Sequence, residues 1–426
     1  MVDKVGGLLL CIVLIAGCGP LRVPTPDRSQ GQSTVSQLAY VGSDDQVYVA
    51  APDGSGARSL TQRVIGLSAD PGWTFRWPTY SQDGRRVAFA GYRSRAGQLL
   101  SAAVIVTDLA QEVTTVALES ADLAPIYLYW SPDNRHLTAL LQHDQSLELY
   151  LFDAVGQEQA RRLLVGQPLY WSWAQDGKSL AVHLGDATSN TDPGWVGLLH
   201  LDSAAQREER FSDTPGAFRA PAWSPNGGRL AYAALGGGTS IVTVRDAAGQ
   251  QTRLASGAND VVFTWSPDGM WLAFAFGVPG GRGLYQGVEV ARADGSDRHR
   301  VTQEPTAAFY WAPDSVRLAF LGIDSSMRGL AWSVVNADGK GARTLASFVP
   351  SDDFAFQVPF FDQYAQSTTL WAPDSHRLVY GAAGSGDRSN GSAAGERIMS
   401  LDVQGQMPPA AVAQGSIAVW SPAGVR

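Results

Sequence analysis

The side chains of this protein that could do chemistry are carboxylates, arginines and aromatics, and they fall in a few short stretches. Trp73, Phe75 and Arg76 stand together, as do Phe218 and Arg219, whereas Asp122, Asp260 and Glu304 stand singly in polar segments. The densest stretch holds Asp352, Asp353, Phe354, Phe356, Phe360, Phe361, Asp362 and Tyr364. Aromatic anchors with charges between them suit the capture of a protein or peptide, or stacking on a sugar ring. The same carboxylates, gathered from different parts of a fold, would alternatively bind Ca²⁺ or work as an acid and base pair. Nucleophilic and phosphate chemistry lack their signatures. The nearest string to a Gly-x-Ser-x-Gly elbow, Gly66-Leu67-Ser68-Ala69-Asp70, lacks the last glycine, and there is no Walker loop, His-Glu-x-x-His helix or Gly-x-Gly-x-x-Gly opening a helix. His136, His143, His183, His200, His299 and His376 are too scattered in sequence to suggest the three or four ligands of one metal. Both cysteines, Cys11 and Cys18, precede the folded part, which therefore has no thiol for zinc, a disulfide or nucleophilic attack. No catalytic residue, metal or cofactor is expected.

The elements that must position these residues are written as one recurring phrase. It stands as Tyr80-Ser81-Gln82-Asp83-Gly84, then with tryptophan at 130, 173, 223, 265, 311, 371 and 420, for example Trp265-Ser266-Pro267-Asp268-Gly269. Successive copies are 50, 43, 50, 42, 46, 60 and 49 residues apart, close to the period of a four-stranded propeller blade. An aromatic residue closes one strand, proline presets φ, aspartate can bind backbone amides and glycine or asparagine tolerates positive φ, so the phrase predicts a hairpin turn. A run such as Arg229-Leu230-Ala231-Tyr232 follows each turn and predicts the next strand.

These repeats resemble those of the TolB-type, WD-like β-propeller lipoproteins of bacterial envelopes, over nearly all of residues 37–426. The first copy departs from the pattern at Tyr80 and Gln82, and the last at Ala423. The resemblance implies an all-β propeller; it says little of function, because this class hosts scaffolds, binders and enzyme accessory domains alike. Eight blades are expected, with six or seven as the alternative. Segments 38–60 supply three strands with no first strand before them, and Ser416 to Trp420 supplies a first strand with no blade after it, so a composite blade should close the ring.

In such a ring the repeated phrase and terse turns such as Asp246 to Gly249 lie on one face, which reads as scaffold. Long connections, including Gly66 to Trp77 and Val349 to Thr369, lie on the other. Long loops on a rigid scaffold commonly carry binding, so the partner-binding residues are placed on that rim. The tryptophans of the phrase are expected to pack between blades.

With 426 residues, 45% of them hydrophobic, the chain can bury a large core. A formal charge of −8 has the wrong sign for neutralising phosphates, which argues against nucleic acid. Residues 1–17 read as an export signal: Lys4, then an apolar run from Val5 to Ala16 that is too short to span a bilayer. Its end, Leu14-Ile15-Ala16-Gly17-Cys18, resembles a lipobox, which makes Cys18 the lipidated residue and residues 18–36 a flexible tether before the propeller at 37–426. The reading is a lipid-anchored, monomeric propeller on the outer side of a bacterial membrane that binds an envelope protein or peptide. The alternative is a glycan- or peptide-processing envelope enzyme with carboxylates in the channel mouth. In cells fed a clickable fatty acid, the protein should take up label and a Cys18→Ser variant should take up none.

Overall fold

The computed structural model describes residues 36–422 apart from 69–70, 155–158, 186–193, 203–205, 217–218, 282, 327 and 385–394. The export signal, Cys18 and most of the tether lie outside the described residues, as does Phe218. No helix among the described residues is long and apolar enough to cross a membrane.

The phrase builds its turn as its chemistry requires. The amide of the fifth residue donates to the carbonyl of the second, as in Gly84 to Ser81 (2.9 Å) and Gly269 to Ser266 (2.8 Å). That fifth residue has positive φ in seven copies, whether it is glycine (Gly177, +66°), asparagine (Asn134, +61°) or serine (Ser315, +59°). The aspartate carboxylate accepts from the serine hydroxyl before it and the amide two residues on, as Asp268 does from Ser266 and Met270. Neighbouring turns are also joined: the amides of Asp83, Asp268 and Asp314 donate to the side chains of Asn134, Ser315 and Ser375 in the following copy. Where the fifth residue is Gly177, a Cβ would lie 2.6 Å from the Asp133 carboxylate, so close approach of the turns adds to the demand for glycine.

Antiparallel four-stranded sheets follow from these hairpins, for example Trp73–Tyr80, Arg86–Arg95, Gln98–Asp108 and Val113–Ser120 in sequence order. Their faces pack on one another through the phrase tryptophans, which are largely buried between sheets as expected. Five indoles donate across to the inner strand of the preceding copy: Trp130 to the Thr79 carbonyl, Trp173 to Tyr129, Trp265 to Ala222, Trp311 to Thr264 and Trp371 to Tyr310. A buried indole therefore meets both its apolar and its donor requirement in one position.

The expected eight separate blades are corrected at one seam. Among the described residues hydrogen bonding forms seven sheets, six of four strands and one of six. The larger sheet arises because Ala410–Trp420 is one continuous strand. Its first half pairs with Arg397–Asp402 and its second half with Leu38–Gly42, fusing the last repeat to the composite unit that closes the ring. The closing pairs include Leu38 with Trp420 and Val41 with Ile417, and the Ser421 amide donates to the Gln37 carbonyl (2.8 Å). Deleting residues 416–426 should lower the unfolding free energy by several kcal/mol, against about 1 kcal/mol for an ordinary substitution. An unchanged midpoint in chemical denaturation would show that this pairing does not hold the ring.

Candidate functional site

The long connection after strand Arg343–Phe348 is not an irregular loop. Ser351 caps a helix, α1 (Asp352–Gln357), by accepting from the Phe354 amide, and Asp352 and Asp353 place negative charge in its first turn. A 3₁₀ turn at Val358–Phe360, with Pro359 in its first turn, leads into α2 (Phe361–Tyr364). Phe354, Val358 and Phe361, at i, i+4 and i+7, are the buried side of this insertion. Phe361 packs edge-on against Phe309 (4.8 Å) and Tyr285 (6.2 Å), Tyr364 packs against Tyr127 (5.0 Å), and Phe354 lies beside Trp332 (6.2 Å). The insertion is a plug in the axis of the ring.

Its polar residues bind the open inner edges of the strands. Gln363 accepts from the Trp171 amide (3.2 Å) and donates to the Trp171 carbonyl (2.9 Å). Asp362 accepts from the Ala220 amide (3.3 Å), and Gln366 donates to the Pro221 carbonyl (3.2 Å). The Tyr364 hydroxyl donates to the Ile126 carbonyl (3.2 Å). On the face of the turns the axis stays open as a cavity of about 550 Å³, floored by Asp362 and residues 365–369. The third residue of every copy of the phrase, Gln82, Pro132, Gln175, Pro225, Pro267, Pro313, Pro373 and Pro422, lines this cavity. The turn face, which the sequence marks as scaffold alone, thus carries the mouth of the channel.

At the other end the plug presents an aromatic surface. Phe356 and Phe360 are 48% and 38% exposed and lie 6.1 Å apart, with Trp77 5.2 Å from Phe356. Trp77 is held at φ +60°, an unusual conformation for a bulky residue, at a register shift before Pro78. Its indole donates to the Tyr92 hydroxyl (3.1 Å), which in turn donates to the Pro125 carbonyl. Acidic groups gather beside it: Arg76 bridges Asp45 (2.7 Å) and Asp353 (3.2 Å), and the Asp352 amide donates to Glu396 (2.9 Å). Burial, with Asp353 and Asp352 nearby, raises the pKa of Glu396.

The remaining expected partner residues are dispersed. Trp73 is half-buried under Arg93, Phe75 is buried against Phe89 (5.8 Å), and Asp122 and Glu304 are exposed on separate loops. Arg219 bonds Asp260 (2.6 Å) and the Pro359 carbonyl (3.1 Å). Burial opposes its charge, but Asp362, Tyr285 and Asp260 more than offset this and raise its pKa. Phe354, Phe361, Asp362 and Tyr364 are interior, so they hold the plug, and of the expected aromatics on the insertion Phe356 and Phe360 face outward. Trp77, packed against Phe356, is the neighbour that sequence reasoning did not single out, while the apolar spacing from Phe354 to Phe361 signals which rings of the insertion turn inward. No group of three or more His, Cys, Asp or Glu able to hold a metal occurs among the described residues.

Burial raises the pKa of Asp362, against the pull of Arg219 and the Ala220 amide. The folded state therefore binds this proton more tightly than the unfolded chain, and the contribution of Asp362 to stability falls as pH rises from the ordinary value of 3.8 through the raised one. The unfolding free energy of the native protein minus that of Asp362→Asn should decline across this window and then level off; a difference that rises with pH would contradict the assignment.

No protein-family model and no curated protein matches the sequence. Among solved structures it is similar to dihydro-heme d1 dehydrogenase NirN in complex with DHE, with a TM-score of 0.55 and 14% identity over 93% of this chain and 77% of that one. It also matches TolB from Acinetobacter baumannii (0.40, 15%, 79% and 83%) and oligogalacturonate lyase in complex with manganese (0.46, 12%, 89% and 84%). At these identities the likeness concerns the fold alone.

Proposed function

We propose that this protein is a lipid-anchored, monomeric cell-envelope binding module, and that its partner is a protein or peptide segment carrying basic and apolar side chains. The carrying observation is the exposed pair Phe356 and Phe360 on a plug that the ring itself fixes, with the half-buried Trp77 of the first inner strand packed against Phe356. Aromatic side chains preorganised in this way lose little freedom on binding, and truncating one such anchor commonly costs about 2 kcal/mol or more. Asp45, Asp352, Asp353 and Glu396 surround it with only Arg76 described in ion pairs there, which favours a cationic partner. The backbone strain at Trp77, of order 1–3 kcal/mol, is the kind that persists where a side chain must be aimed.

Selection from a displayed peptide library on the whole protein should enrich segments with arginine or lysine beside aromatic or aliphatic residues. Replacing Phe356 and Phe360 together by alanine should weaken the selected peptides by roughly thirtyfold or more, with melting unchanged. Enrichment of acidic peptides, or binding indifferent to both changes, would remove the proposal.

A further inference from the structure

The insertion that carries Phe356 and Phe360 also grips the strand that closes the ring, and it does so on both sides of those two residues. In the seam Val41 pairs with Ile417 and Gly42 with Gly415, so Ser416 is a bulge residue with no opposite number. The insertion takes up its free groups. The Ser351 hydroxyl donates to the Ser416 carbonyl, and the Ser416 hydroxyl donates to the Asp353 carboxylate. A Cβ on Gly381 would lie 1.8 Å from the Ser416 carbonyl and 2.3 Å from Ser351 Oγ, so only glycine there admits this contact. At the far end of the strand the Trp420 amide donates to the Thr369 carbonyl (2.8 Å), and the Thr369 hydroxyl donates to the Trp420 carbonyl. A third tie runs through Arg76, which joins Asp353 to Asp45 in the turn after Leu38–Gly42.

We infer that the insertion is the latch of the ring, and that the aromatic surface and the seam regulate each other. The link to a partner rests on the binding role proposed above. The seam joins the two ends of the chain, so its opening unzips no hairpin and is a local event rather than general unfolding. Six residues are too few for α1 to persist as a helix by itself, so its place depends on such contacts as those of Ser351 and Asp353 with Ser416. An open seam therefore frees α1 and dismantles the surface that Phe356 belongs to. A partner that binds only the assembled surface holds the seam shut by the same factor, because coupling between two equilibria is reciprocal.

Hydrogen exchange of the whole protein, read by mass spectrometry, tests both directions. Ser351→Ala should accelerate exchange in Leu38–Gly42 about tenfold, the worth of a helix cap and one buried hydrogen bond, and leave Val261–Trp265 on another sheet unchanged. Ser416→Ala, a change in the seam strand, should accelerate exchange in Asp352–Gln357 about threefold. A peptide enriched in the selection described above, at ten times its dissociation constant, should slow exchange in Leu38–Gly42 about tenfold. Acceleration shared equally by Val261–Trp265, a seam indifferent to Ser351→Ala, a helix indifferent to Ser416→Ala, or a bound peptide that leaves the seam unprotected would each overturn the inference. Absence of any binding peptide would remove the binding role alone, since the two substitutions decide the link between latch and seam without it.

Discussion

In each of the six four-stranded sheets the inner strand has a hydrogen-bonded neighbour on one side only, and its other row of amides and carbonyls turns toward the axis. Such groups cost free energy wherever they are both dry and unpaired. The rest of the molecule is arranged around that constraint. Asp362, Gln363 and Gln366 are placed on the insertion where they can bond Ala220, Trp171 and Pro221, so an apolar plug of equal volume would leave the strands unsatisfied. Phe361 and Tyr364 fill the space between those contacts.

The two ends of the axis then differ for a physical reason. Toward the long loops the insertion supplies both packing and hydrogen bonds, and its surplus aromatic surface is left facing solvent. Toward the turns the wall is made by strand ends and prolines, which have few donors of their own. Polar atoms of the plug floor and wall remain unpaired there.

What could be read from the sequence was what is local. The phrase fixes its own turn through serine, aspartate and a residue at positive φ, so the hairpins, their shared face and the burial of the tryptophans follow from a few residues at a time. The fused sheet was not legible, because Ala410–Trp420 contains no turn signal to mark where one repeat hands over to the next, and its two halves choose partners at opposite ends of the chain. In the long connection the density of phenylalanine was visible, but the helical spacing of Phe354, Val358 and Phe361 decides which rings turn inward. Phe354 and Tyr364 therefore belong to the interior, while Phe356 shares the surface with Phe360. Trp77 owes its role to a register shift that no pattern of hydrophobicity encodes.

The pairing of Leu38–Gly42 with the end of Ala410–Trp420 also sets the timetable of folding. The groups joined at the seam, Gln37 and Ser421, are 384 residues apart. A chain that emerges from a ribosome or a translocon with its N-terminus first exposes one of these edges long before the other exists. Six sheets can form from hairpins as they appear, each from neighbours in sequence, but the ring cannot shut until the final strand has arrived. During that interval the first strands have an unpaired edge and the nascent protein is a natural client for any holding factor at the exit site, a dependence that ends in a single late step.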